Sequence, residues 1–222
     1  MNAAVSYSMA DRLADLGDIP TFRVRTSPSP GSATIDDLIR IQGTEGRLYE
    51  LVDRTLVEKV MGWQESLLAA VLLQWLGNFL DDHDLGVMTG PDGQTRLFSD
   101  TVRGPDVAFV SWLKMPGGKL PVEPVPNLVP DFVVEVISVH NTRAEMSRKR
   151  REYFHAGVKL VWMVDPRART VAVFRSPDDV TIADEGESID GGEVLPGWKV
   201  DLALLFGKLD RKAPDHDAGS GT

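Results

Sequence analysis

The chain has 222 residues, 42% hydrophobic and 26% charged. That is enough apolar material for one large domain with a real core, and it excludes disorder throughout. Its 24 Lys and Arg stand against 33 Asp and Glu, a net charge of -9, which argues against coating nucleic acid by bulk charge. With no cysteine, disulfides, thiolate catalysis and Cys-ligated metal sites drop out, and any metal must rest on carboxylates or imidazoles. The N-terminus has no basic region followed by an apolar one, and no apolar run approaches membrane-spanning length. A cytoplasmic chain without membrane association is expected.

In chain order, residues 1–33 hold Pro20, Pro28 and Pro30 and the stretch TSPSPGS, and read as a mobile arm. The ordered body is expected over 34–209 and a frayed tail over 210–222. Thr34, with Asp37 three residues on, opens a short helix to about Ile41. RLYELVDRTLVEK alternates around Asp53-Arg54 as a hairpin does. From Trp63, the apolar positions Leu67, Leu68, Val71, Leu72, Trp75, Leu76, Phe79 and Leu80 follow helical spacing, in a stripe wide enough for a sheet and a second subunit. TRLF and DVAFV read as short strands, and KMPGGKLPVEPVPNLVP as a surface loop. FVVEVI, LVWMV and TVAVF read as strands. A helix over about 142–156, closed by Gly157, makes the first two a right-handed crossover. A short helix follows at about 201–206. The fold class is α/β, with a mixed central sheet flanked by helices.

Glu135 interrupts an otherwise apolar run. An ionised side chain buried there without a partner costs several kcal/mol, so it is paired, protonated, hydrogen-bonded or metal-bound, unless it lies at a strand end and reaches solvent or an Arg. Asp106, after Gly104-Pro105, stands at a strand mouth or in a plain turn. Together the two offer hard oxygen ligands of the kind Mg2+ or Mn2+ prefers. Met146, Lys149 and Tyr153 share one face of the next helix, so the Lys149 ammonium either meets a carboxylate or snorkels to solvent. Residues 143–152 carry five basic and two acidic groups, a phosphate-facing surface or a solvated helix face.

YELVDRTLVEK at 49–59, VRGPDVAFVSW at 102–112, PDFVVEVIS at 130–138, the block 141–174 and GGEVLPGWKVDLALLF at 191–206 together resemble the Uma-two family, bacterial proteins assigned as endonucleases with the restriction-endonuclease-like PD-(D/E)xK fold. The resemblance implies that Asp106 and Glu135 bind a divalent cation, Mg2+ or Mn2+, that polarises a scissile DNA phosphate and acidifies a water. In the general motif a Lys stands two residues after the acidic one. Ile137 is there in this chain, and the family's placement of the Lys on the following helix matches Lys149. Glu50 matches an additional acidic position, with a half-exposed hairpin residue as the plainer reading. Where many relatives carry a His at the start of the long helix, this chain has Gln64-Glu65-Ser66, and none of His83, His140, His155 and His216 is assigned to metal. The expected protein is a homodimeric, metal-dependent DNA endonuclease. Two alternatives are a catalytically inactive nuclease-like binding or assembly module, favoured by Ile137 and the net charge, and a hydrolase of a smaller phosphate ester.

Overall fold

The computed structural model describes residues 8–213. In chain order its elements are α1 (Met9–Asp15), α2 (Ile35–Glu45), β1 (Tyr49–Val52), β2 (Thr55–Glu58), α3 (Trp63–His83), β3 (Gly86–Thr89), β4 (Thr95–Phe98), β5 (Thr101–Arg103) and β6 (Val107–Ser111). Then come β7 (Phe132–Val136), α4 (Arg143–Ala156), β8 (Leu160–Asp165), β9 (Thr170–Phe174), β10 (Val180–Asp184), β11 (Ser188–Gly191), β12 (Leu195–Asp201) and α5 (Leu202–Phe206). A central six-stranded sheet runs β10-β9-β8-β7-β6-β3. It is antiparallel except for β7 and β8, which α4 joins as a parallel crossover. A four-stranded sheet, β2-β1-β5-β4, carries the hairpin, and β11 pairs with β12.

Strand alternation sorts the residues of the central sheet to two faces. Phe132, Val134 and Val136 pack with Leu68, Leu72 and Leu76 of α3 and with Trp162 and Trp198, whose rings stack at 5.1 Å. Val133 packs instead with Met146 and Tyr153 of α4. Glu135, in phase with Val133, therefore faces α4. Ala108 lies on the same side, so Asp106, two residues earlier, does too. Since Val107 pairs with Val134, the antiparallel register carried one step further sets Asp106 opposite Glu135.

The expected helix at Thr34 forms with a capping box closed by Asp37, and continues to Gly46 in the left-handed region. The hairpin turn is Asp53-Arg54, with φ of 46° and 58°, as a two-residue turn matching strand twist requires. Strands β3, β5, β10, β11 and β12 add to the expected set. The arm departs most from expectation. Residues 1–7 lie outside the described residues, as does the tail from 214, but from Ser8 onward the segment is folded onto the body. Leu16, Ile19 and Val24 are buried against Val52 and Val57 of the hairpin. Gly17, at φ +94°, lies so close to α4 that a Cβ there would stand 2.5 Å from Glu145 N. The prolines limit this segment's regular structure without preventing its apolar residues from docking.

Candidate active site

Asp106 and Glu135 come together through the sheet ladder. The Asp106 amide donates to Val134 O at 3.0 Å, and the Val136 amide donates to Asp106 Oδ2 at 2.6 Å. Both residues are buried. Asp106 Oδ1 lies 2.7 Å from Lys59 Nζ, yet no donor meets it with hydrogen-bond geometry. Lys59 follows the last residue of β2, and its ammonium also donates to Gly104 O.

Glu135 accepts from Tyr153 Oη at 2.5 Å and from Lys149 Nζ at 3.1 and 3.2 Å. Burial raises the Glu135 pKa; Lys149 and Lys59 oppose the rise, while Asp106 and Glu50 add to it. Burial also pushes the Tyr153 hydroxyl up, with Glu135 and Glu50 adding to the effect, so the phenol keeps its proton and acts as donor. Lys149 reaches Glu50 Oε1 at 3.1 Å as well. Burial disfavours its charge, but Glu135 and Glu50 outweigh that and raise its pKa.

Glu50 is buried, not the half-exposed hairpin residue of the plainer reading. It accepts from Arg103 at 2.7 Å and from the Gly104 amide at 3.2 Å. Burial raises its pKa, and Lys149, Arg103 and Lys59 together more than reverse the effect. Arg103 is held in turn by Glu152 at 2.6 Å. The snorkelling alternative for Lys149 does not hold, because its side chain is enclosed between two carboxylates. Of the α4 arginines, Arg143 and Arg151 stay exposed, while two others are engaged within the protein. Arg148 bonds Glu152 and Asp53, and the Arg150 guanidinium lies 4.6 Å over the Phe174 ring.

The structure thus brings together the four sequence-derived candidates Asp106, Glu135, Lys149 and Glu50. It adds Lys59, Arg103, Glu152 and Tyr153. Tyr153 had a signal, the same helix stripe as Lys149, and Lys59 and Arg103 lie inside the quoted segments 49–59 and 102–112. Lys59 and Arg103 have no chemical signature of their own in sequence, because each acts through a partner on another element. Among the described residues no group of three His, Asp or Glu side chains forms a ready metal cluster, and Glu50 is fully engaged by its cationic and amide donors. The donor set that fits a hard divalent cation is the Asp106–Glu135 pair, whose Asp106 Oδ1 accepts no hydrogen bond and faces the Lys59 ammonium that a cation would displace.

A mixed α/β fold with acidic residues on adjoining strand ends, opposed by ammonium groups from a hairpin and a crossover helix, defines a restriction-endonuclease-like class. The Uma2 family, described as "Putative restriction endonuclease", matches residues 35–204, and the chain belongs to that family of nucleases. Among solved structures, the chain is similar to a protein from Anabaena variabilis described as a putative nuclease belonging to DUF820. The TM-score is 0.69 at 16% identity, over 79% of this chain and 98% of that one, and it shows a shared fold. No curated protein matches the chain. Among the described residues no helix is long and apolar enough to cross a membrane.

Proposed function

We propose that this protein is a metal-dependent DNA endonuclease of the cytoplasm, with residues 34–209 as its catalytic unit. The observation that carries the reading is the buried pair Asp106 and Glu135 on opposed strand positions, flanked by the ammonium groups of Lys59 and Lys149. These two residues would hold Mg2+ or Mn2+, which when bound supplies Lewis-acid polarisation of the phosphate and acidification of a water. The Val136 amide and the Tyr153 hydroxyl orient the two carboxylates. Lys149 balances Glu135 and Glu50, and Arg103 fixes Glu50. In the reaction the water oxygen forms a new P–O bond, its proton passes to solvent or a nearby base, and the bond from phosphorus to the leaving sugar oxygen breaks.

The test is cleavage of plasmid DNA with Mg2+ or Mn2+ by wild type, Asp106→Asn and Glu135→Gln. Loss in both variants is expected, and equal cleavage by all three would assign the activity to a contaminant. For two-strand cutting we propose a homodimer through the start of α3, where Trp63 is 87% exposed beside a groove of about 450 Å3 that Leu67 and Lys208 also line. Sedimentation of wild type and Trp63→Ser tests this: a dimer that Trp63→Ser dissociates is expected, and a monomeric wild type refutes it.

A further inference from the structure

The cluster has two ammonium groups, and they differ in what they can reach. Lys149 lies mid-helix with its side chain 3% exposed, spanning Glu50 and both oxygens of Glu135. Three carboxylate oxygens take up the three protons that an ammonium can donate. Lys59 lies at the end of β2, where the chain leaves the sheet for a short connection to α3. Its side chain is 8% exposed; its ammonium has one hydrogen-bond acceptor, Gly104 O, and a charge contact with Asp106 Oδ1 that lacks hydrogen-bond geometry. Unlike Lys149, it does not have all three of its protons taken up by carboxylate oxygens. Its neighbours Val60 and Met61 are partly exposed and Gly62 is exposed, so this is the side on which the cluster approaches solvent. Position 137 supplies no charge, because Ile137 packs with the apolar cluster beneath α4.

We infer that Lys59 is the catalytic group that faces the scissile phosphate, donating a hydrogen bond to a non-bridging oxygen, and that Lys149 is a positioning residue that holds Glu50 and Glu135. The inference rests on the nuclease reading. No covalent bond to Lys59 forms. Its ammonium moves from sharing Asp106 toward sharing the phosphate.

Because the chain has no cysteine, Lys59→Cys places a single thiol in the molecule, and alkylation with 2-bromoethylamine, followed to completion by mass, restores an ammonium at nearly the same reach. The experiment compares wild type, Lys59→Cys and its alkylated form in single-turnover DNA cleavage with Mn2+, and in calorimetric Mn2+ titration without DNA. Lys59→Cys should cleave at least about 100-fold more slowly, as removal of one transition-state donor does. It should bind Mn2+ at least as tightly as wild type, since the ammonium that shares Asp106 is gone. Alkylation should recover at least about tenfold of the rate. Three results overturn the inference: Lys59→Cys cleaving within about threefold of wild type, a loss that alkylation does not restore, or a loss of Mn2+ binding alongside cleavage. Wild type that cleaves no DNA would instead refute the nuclease reading itself, so the two failures are distinguishable.

Discussion

Arg23 should be among the most costly side chains to remove, although it lies outside the family-matched segment. Its guanidinium is buried and donates to both oxygens of Glu145 at 2.8 and 2.9 Å, to Glu58 O at 2.9 Å and to His140 O at 3.2 Å. In Arg23→Met, Glu145 would keep Asn141 and the α4 N-cap region but lose its counter-ion, and two carbonyls would lose donors. Removing one partner of a buried ion pair costs about 3–5 kcal/mol. With a urea slope of roughly 2–3 kcal/mol per molar, the unfolding midpoint should fall by about 1–2 M. The five tryptophans make fluorescence a suitable probe. The double variant Arg23→Met/Glu145→Met should recover most of the loss, because it leaves no buried charge unpaired. The pH dependence has a definite sign. Burial raises the Glu145 pKa, but Arg23, Lys149 and Asn141 more than offset it and hold it below the ordinary 4.5. A depressed carboxylate contributes stability above its unfolded value that is lost as pH falls through the folded one. The wild-type advantage over Arg23→Met should therefore be full at pH 7 and shrink below about pH 4.5. A single-variant loss under about 1 kcal/mol, the range of a solvated ion pair, or a loss that does not change with pH, would refute this account.

Tyr153→Phe deletes the donor to Glu135 Oε1; it should cost about 1–3 kcal/mol in urea and weaken Mn2+ binding by about 10–100-fold in calorimetry. Gly17→Ala would place a Cβ against the Glu145 backbone at φ +94°, and strain of about 1–3 kcal/mol plus the contact itself should free the N-terminal segment for limited proteolysis while the body stays folded. Trp198→Ala removes a buried ring stacked on Trp162 and should cost about 3–5 kcal/mol in thermal or urea unfolding.

Much of the site was legible because burial forces a carboxylate to find a partner. Glu135 stood out in an apolar strand, Asp106 followed a proline at a strand mouth, and Lys149 shared a helix stripe with Met146 and Tyr153. The crossover and the long helix were legible through periodicity. The added strands were not, for particular reasons. Val180–Asp184 exposes four of its five residues, so it has no buried alternation to read, and Thr101–Arg103 is only three residues long. The N-terminal segment was misread from its prolines, because the features that hold it, Leu16, Ile19 and Val24 against the hairpin and Arg23 with a partner 122 residues away, are long-range. Lys59 and Arg103 escaped for the same reason, since a charge at a strand end has no periodicity to mark its partner.

The interlocked charges also constrain how the chain folds. Glu50, Asp106 and Glu135 precede Lys149 in the sequence, so a nascent chain that ends before α4 carries three inward-facing carboxylates with only Lys59 and Arg103 to balance them. Burying them in that state costs several kcal/mol per uncompensated ion. The hairpin, the β6–β7 pair and the N-terminal segment are therefore expected to gain little by closing singly and to close together once α4 supplies Lys149 and Glu145. Assembly of the centre is therefore expected to be cooperative and late in synthesis, with a fragment that lacks α4 expected to hold its acidic residues open to water.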